Sequence, residues 1–165
     1  MNKKLKTTLL AWPLITIATI AVCWTTGLVA ELLHCEMPAQ PSLSAVLNSR
    51  GWTLVKNIAL ILVAAPVLEE FLFRWVLWRL PTRFLGVRAD LPAAIASSVL
   101  FSAAHYVQET TPFPDTAFVA LFLFGFLQCR LYRKTESIWC PMLQHSLFNL
   151  ANLVLIFAFP KLATA

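Results

Sequence analysis

Six side chains of the types that move protons or hold charge lie inside apolar stretches: Glu69, Glu70, Arg74, His105, His145 and Asn149. Deep in a bilayer, an ionisable residue costs roughly 2.5–3.5 kcal/mol on insertion scales, so function is the first explanation for it. Carboxylates, imidazoles and an amide can together activate a water, bind zinc or line an ion path. Glu70 and Arg74 are four residues apart, so on a helix they share a face and can pair. Glu69 is turned about 100° away from Glu70 and is left without a local partner. Pro66, just upstream, removes one backbone hydrogen bond and frees a carbonyl about a turn before the pair. Phe101 and His105 repeat the four-residue spacing, as do His145 and Asn149, with Pro141 one turn before His145.

The elements that carry these groups are set by composition. Of 165 residues 59% are hydrophobic and only 13% are charged, about half the charged share of a soluble domain. That excludes an ordinary soluble protein and implies an all-α membrane bundle. Five apolar segments are long enough to cross a bilayer, which takes about 20 residues. They are roughly 7–33, 52–80, 91–107, 116–132 and 138–159. Pro- and Ser-rich connections stop them at 34–44, 80–92 and 109–115. One integral-membrane domain over 1–165 is expected, with its core at 52–157.

The net charge of +5 does not point to nucleic acid, because the basic residues fall in short clusters between apolar runs and form no binding motif. Lys3, Lys4 and Lys6, then Arg79, Arg83 and Arg88, then Arg130, Arg133 and Lys134 occupy alternate connections. The positive-inside rule puts those connections in the cytoplasm, with the N-terminus inside and the C-terminus outside the cell membrane. Glu31, Glu36, Glu109 and Asp115 fall on the opposite side, with Arg50, Lys56 and Lys161. The first segment is too long for a cleaved signal peptide and lacks a clean cleavage site.

Helical rise places the groups at similar depths. Glu69 lies roughly 15 Å above Arg79, and His105 roughly 21 Å above Leu91. His145 and Asn149 lie roughly 10 and 16 Å above Ile138. The four can meet in one cavity near the middle of the membrane. Small residues from Ala93 to Ala104 let the third segment approach its neighbours closely.

Other features have structural explanations. A lone membrane histidine commonly serves as an interhelical hydrogen bonder; two of them converging with an asparagine and a spare glutamate point to a site. His34 falls in an outer connection. The tryptophans, at 12, 24, 52, 75, 78 and 139, lie mostly near segment ends, as interfacial anchors do. Cys23, Cys35, Cys129 and Cys140 lack metal-site spacing and read as small apolar fillers.

Three of these stretches together resemble a known family. "EEFLFR" (Glu69–Arg74), "FSAAH" (Phe101–His105) and "HSLFN" (His145–Asn149) fit the EExxxR, FxxxH and HxxxN motifs of the CAAX-protease and bacteriocin-processing (Abi, type II CAAX prenyl endopeptidase-like) family. The resemblance implies a helix bundle around a polar cavity and glutamate-dependent intramembrane peptide cleavage. It implies that Glu69 and His105 activate water, that His145 and Asn149 hold the oxyanion, and that Glu70 and Arg74 support the site. Imidazole and amide N–H groups are suitable donors for such an oxyanion.

The chain has fewer spans than the eukaryotic prenyl-protein proteases. It is closer to small bacterial members that mature bacteriocins or process C-terminal sorting signals. The expected partners are the bilayer and a membrane-associated peptide or protein, with no cofactor. Zinc held by the two histidines and a glutamate is the alternative, without an HExxH pattern to support it. A non-catalytic binding or immunity protein of the same fold, and an ion or solute carrier, are the readings from other classes.

Overall fold

The computed structural model describes residues 2–32, 46–105 and 116–158, all helix and short turns. The connections at 34–44 and 109–115, with His34, Cys35 and Lys161, lie outside the described residues.

Five helical rods make up the bundle among the described residues. Helix α1 is Lys3–Leu32. The second rod runs without a break from 51 to 85 in five pieces: α2 (Gly51–Ala59), a wide turn π1 (Leu60–Ala64), α3 (Ala65–Glu70), a longer wide segment π2 (Phe71–Arg79) and α4 (Leu80–Leu85). Helix α5 is Asp90–Ala104, α6 is Thr116–Thr135 and α7 is Trp139–Ala158. Helix α6 packs against α1, α5, α7 and π2; α7 also packs on α1, π1 and α3, and α5 on π2.

The second rod passes through both of its prolines, and the register explains how. In π segments the N–H bonds five residues back instead of four. Ala65 N–H goes to the Leu60 carbonyl, and Leu80 N–H goes to the Trp75 carbonyl. Each is followed immediately by a proline, Pro66 or Pro81. The wide turn moves the carbonyl four residues back away from the proline ring, which relieves the clash that breaks an ordinary helix. For this reason Pro81 does not end the rod near residue 80, as its type alone suggests. Gly86 ends it, at φ +82° with its N–H on the Thr82 carbonyl at 3.0 Å, in the left-handed region that glycine reaches without strain.

The bundle buries polar and charged side chains beside its apolar core and is apolar on the outside. Leu14, Ile17, Leu68, Leu72 and Val154 face outward, while Glu70, Arg74, Ser97, Ser98, Gln128, Gln144 and His145 are buried. An apolar exterior of this extent suits lipid, not water. Among the described residues, three stretches are long and apolar enough by themselves to cross a membrane: Lys3–Val29, Val87–Ala104 and Trp139–Ala158. The sequence counts five. The other two rods carry charges, Glu69, Glu70 and Arg74 within one and Arg130, Arg133 and Lys134 at the end of the other.

An apolar core layer draws on all five rods: Ile15, Phe73, Phe101, Phe124, Leu131 and Cys140. Cys129 and Cys140 are buried free thiols that fill space. Trp78 departs from the interfacial pattern. It is buried in a second cluster with Ala94, Cys129 and Tyr132, and its indole N–H donates to the Asp90 carbonyl at 3.2 Å. Arg133 pairs with the Asp90 carboxylate, so one cluster of contacts ties π2, α5 and α6 together.

Small residues set the α5 contacts as expected. Ser97 Oγ donates to the Phe73 carbonyl at 2.5 Å, and Ser102 Oγ to the Phe118 carbonyl. Gly125 of α6 faces Ser98 so closely that an added Cβ would sit 3.3 Å from both its Cα and its Cβ. Gly125→Val is therefore expected to cost about 1–3 kcal/mol by overpacking, read as a lowered midpoint in detergent unfolding.

Candidate active site

Glu69 and Glu70 end α3 on different faces, and the structure gives them different company. Glu70 is fully buried. Its Oε2 pairs with Arg74 Nε at 3.0 Å, also fully buried, and its Oε1 accepts a hydrogen bond from His145 Nδ1 at 2.9 Å. The sequence spacing anticipates the first contact but not the second, which joins α3 to α7. Glu69 is 25% exposed. Its Oε2 lies 3.5 Å from His105 Nε2 and 3.9 Å from His145 Nε2.

His105 reaches this position because α5 stops there. Its backbone turns at φ −99°, ψ 0°, and its N–H bonds three residues back to the Ser102 carbonyl. Its ring Nδ1 lies 2.9 Å from the Phe101 carbonyl. A carbonyl only accepts, so Nδ1 carries the proton and donates. The same logic holds for His145, whose Nδ1 faces a carboxylate. Both Nε2 atoms are therefore lone-pair acceptors in the neutral rings, and both converge on Glu69 Oε2. Three acceptors around one point call for hydrogens between them, either a shared proton or the two hydrogens of a water.

Phe101 is the platform beneath these groups. Its ring lies 4.6 Å from the His105 ring, 6.0 Å from that of His145 and 4.6 Å below the Arg74 guanidinium carbon. Phe73 meets it edge-on at 5.3 Å. Cation–π contact is strengthened by desolvation, which is complete here. Phe101→Leu keeps the apolar volume and removes the ring face. It is expected to cost about 1 kcal/mol in unfolding and to lower activity more than that loss of stability explains.

Asn149 stands apart from the reacting groups in its observed contact: its amide nitrogen donates to the Ile61 carbonyl at 2.9 Å. The structure thus brings Glu69, Glu70, Arg74, His105 and His145 together, and places Asn149 one turn further along α7. Below His145, Gln128 Nε2 of α6 donates to Gln144 Oε1 and, at 3.3 Å, to the Pro141 carbonyl. This buried amide pair holds α6 to α7. Its signal in the sequence is a glutamine inside each of two apolar segments, and the Phe101 platform is signalled only by its four-residue offset from His105.

Comparison with curated proteins finds no match, and comparison with solved structures finds none. The family model for type II CAAX prenyl endopeptidase Rce1-like proteins matches residues 51–151, well over half of the chain and all six of the residues above. The chain therefore belongs to the type II CAAX prenyl endopeptidase Rce1-like family, a family of membrane endopeptidases.

Proposed function

We propose that this protein hydrolyses a peptide bond in a membrane-associated peptide or protein, using Glu69 and water. The observation that carries the reading is the convergence of the two imidazole Nε2 atoms on Glu69 Oε2, beside a Glu70 already paired with Arg74. The His105 and Glu69 side chains are both about a quarter exposed, with the Glu69 Oε2 atom itself buried between the two rings.

Water seated between Glu69 and His105 gives a proton to that pair as its oxygen attacks the peptide carbonyl carbon. The carbonyl oxygen becomes an oxyanion. His145 stabilises it from Nε2 when the ring carries both protons, since Nδ1 is committed to Glu70. The proton taken from water then goes to the leaving amine as the C–N bond breaks. Glu70 and Arg74 orient His145 and hold α3 in place.

The substrate class taken here is a small membrane-borne peptide, such as a bacteriocin-like precursor or a C-terminal sorting signal, on the resemblance to bacterial members of the family. The basic clusters orient the N-terminus to the cytoplasm. The test is processing of a membrane peptide by the purified chain in liposomes, with Glu69→Gln as the control. Undiminished processing by that variant would sink the reading. Loss of processing in step with removal of a bound metal would replace the water-only reaction with a zinc one. A chain that binds the peptide without ever cleaving it would be the non-catalytic binding protein.

A further inference from the structure

The HSLFN stretch gives its asparagine a contact away from Glu69, on the backbone of the second rod. The Ile61 carbonyl has a specific difficulty. Ala65 N–H bonds to the Leu60 carbonyl, five residues back, so the next N–H in that register would serve Ile61. The next residue is Pro66, which has none. If the helix instead returns to α register at residue 66, Ile61 is the carbonyl that is skipped. Either way the helix leaves Ile61 without a backbone donor, in a bilayer where water does not supply one. Asn149 Nδ2 supplies it, at 2.9 Å from across the α7 interface. The assignment of the amide is forced, because its oxygen cannot bond a carbonyl.

We propose that Asn149 is a positioning residue, which caps the Ile61 carbonyl orphaned at Pro66 and pins α7 to the second rod. His145, one turn before Asn149, makes the second pin through Glu70. Two fastenings on one face of α7 fix both the height and the rotation of the segment that carries Glu69, three residues after Pro66. The inference rests on the proposed function only for that consequence at Glu69.

The experiment is a double-mutant cycle of Asn149→Ala and Pro66→Ala, read first by thermal unfolding in detergent. With Pro66 intact, Asn149→Ala is expected to lower the midpoint by about 5 °C, the scale of one unsatisfied buried carbonyl. In the Pro66→Ala background the shift is expected to fall below half of that. An N–H at residue 66 lets the helix cover Ile61 itself, through residue 66 in the wide register or residue 65 in the ordinary one. Equal shifts in the two backgrounds would overturn the proposal. If Asn149→Ala alone does not fold, recovery of folding by Pro66→Ala is the same result, and failure in both backgrounds overturns it.

Positioning is read separately, by the imidazole N–H proton between His145 and Glu70 in ¹⁵N-histidine-labelled protein. Asn149→Ala is expected to broaden or abolish that resonance in the folded chain; an unchanged resonance would overturn the positioning role. Neither readout needs turnover. Absence of peptide cleavage would thus refute the proposed function alone, and absence of coupling would refute this inference alone.

Discussion

Glu69→Gln is expected to lower peptide cleavage by about 10²–10⁴-fold, the usual contribution of a positioned general base, while the chain still folds. The substitution keeps the size and shape of the side chain and removes its capacity to take a proton. Glu69 is partly exposed and has no ion-pair partner among the cationic side chains Arg74 or Lys56, so its loss leaves no buried charge uncompensated. Glu70→Gln behaves differently. It leaves Arg74 buried without its counter-charge and His145 without its carboxylate, so stability and activity fall together. The measurement is cleavage rate in liposomes alongside the unfolding midpoint for both variants. A Glu69→Gln chain that cleaves as fast as the parent, or a Glu70→Gln chain that loses only activity, would contradict the division of labour between the two carboxylates.

The second large effect is expected at Arg74. Both Arg74 and Glu70 are fully buried, and Glu70 also carries the hydrogen bond from His145. Removing one partner of a buried pair strands the other, at a cost of about 3–5 kcal/mol. Arg74→Met keeps the length and apolar stem, so nearly all of the loss is electrostatic. The guanidinium also covers the Phe101 ring at 4.6 Å, and Arg74→Lys does not replace that planar contact. Arg74→Lys is therefore expected to recover only part of the loss. Unfolding by a denaturing detergent measures both. The double variant Arg74→Met, Glu70→Leu is expected to be more stable than Arg74→Met alone, because no carboxylate is left unpaired.

The fold class was legible from composition, and the helix positions from apolar runs and prolines. Three sets of four-residue spacings picked out the helix faces that carry the candidate site, because one helical turn brings i and i+4 together whatever the tertiary context. The same arithmetic paired Glu70 with Arg74 and left Glu69 aside, as the structure has them. Local spacing cannot specify partners across helices. It does not show that His145 divides its two nitrogens between Glu70 and Glu69, or that Phe101 underlies three charged or titratable groups. It does not bring Gly125 against Ser98 either. Those contacts depend on rotation and height between rods, which packing decides.

Proline marks the boundary between the two kinds of information. From the sequence, Pro66 had to free a carbonyl, because its ring nitrogen has no hydrogen to give. Which carbonyls are left without a donor depends on the register, and with the π turn at Leu60–Ala64 Ile61 is one of them. What covers that carbonyl depends on α7, which brings Asn149 across from 88 residues away. Chain chemistry alone determined the deficit at Pro66, and the tertiary structure alone decided how it is met.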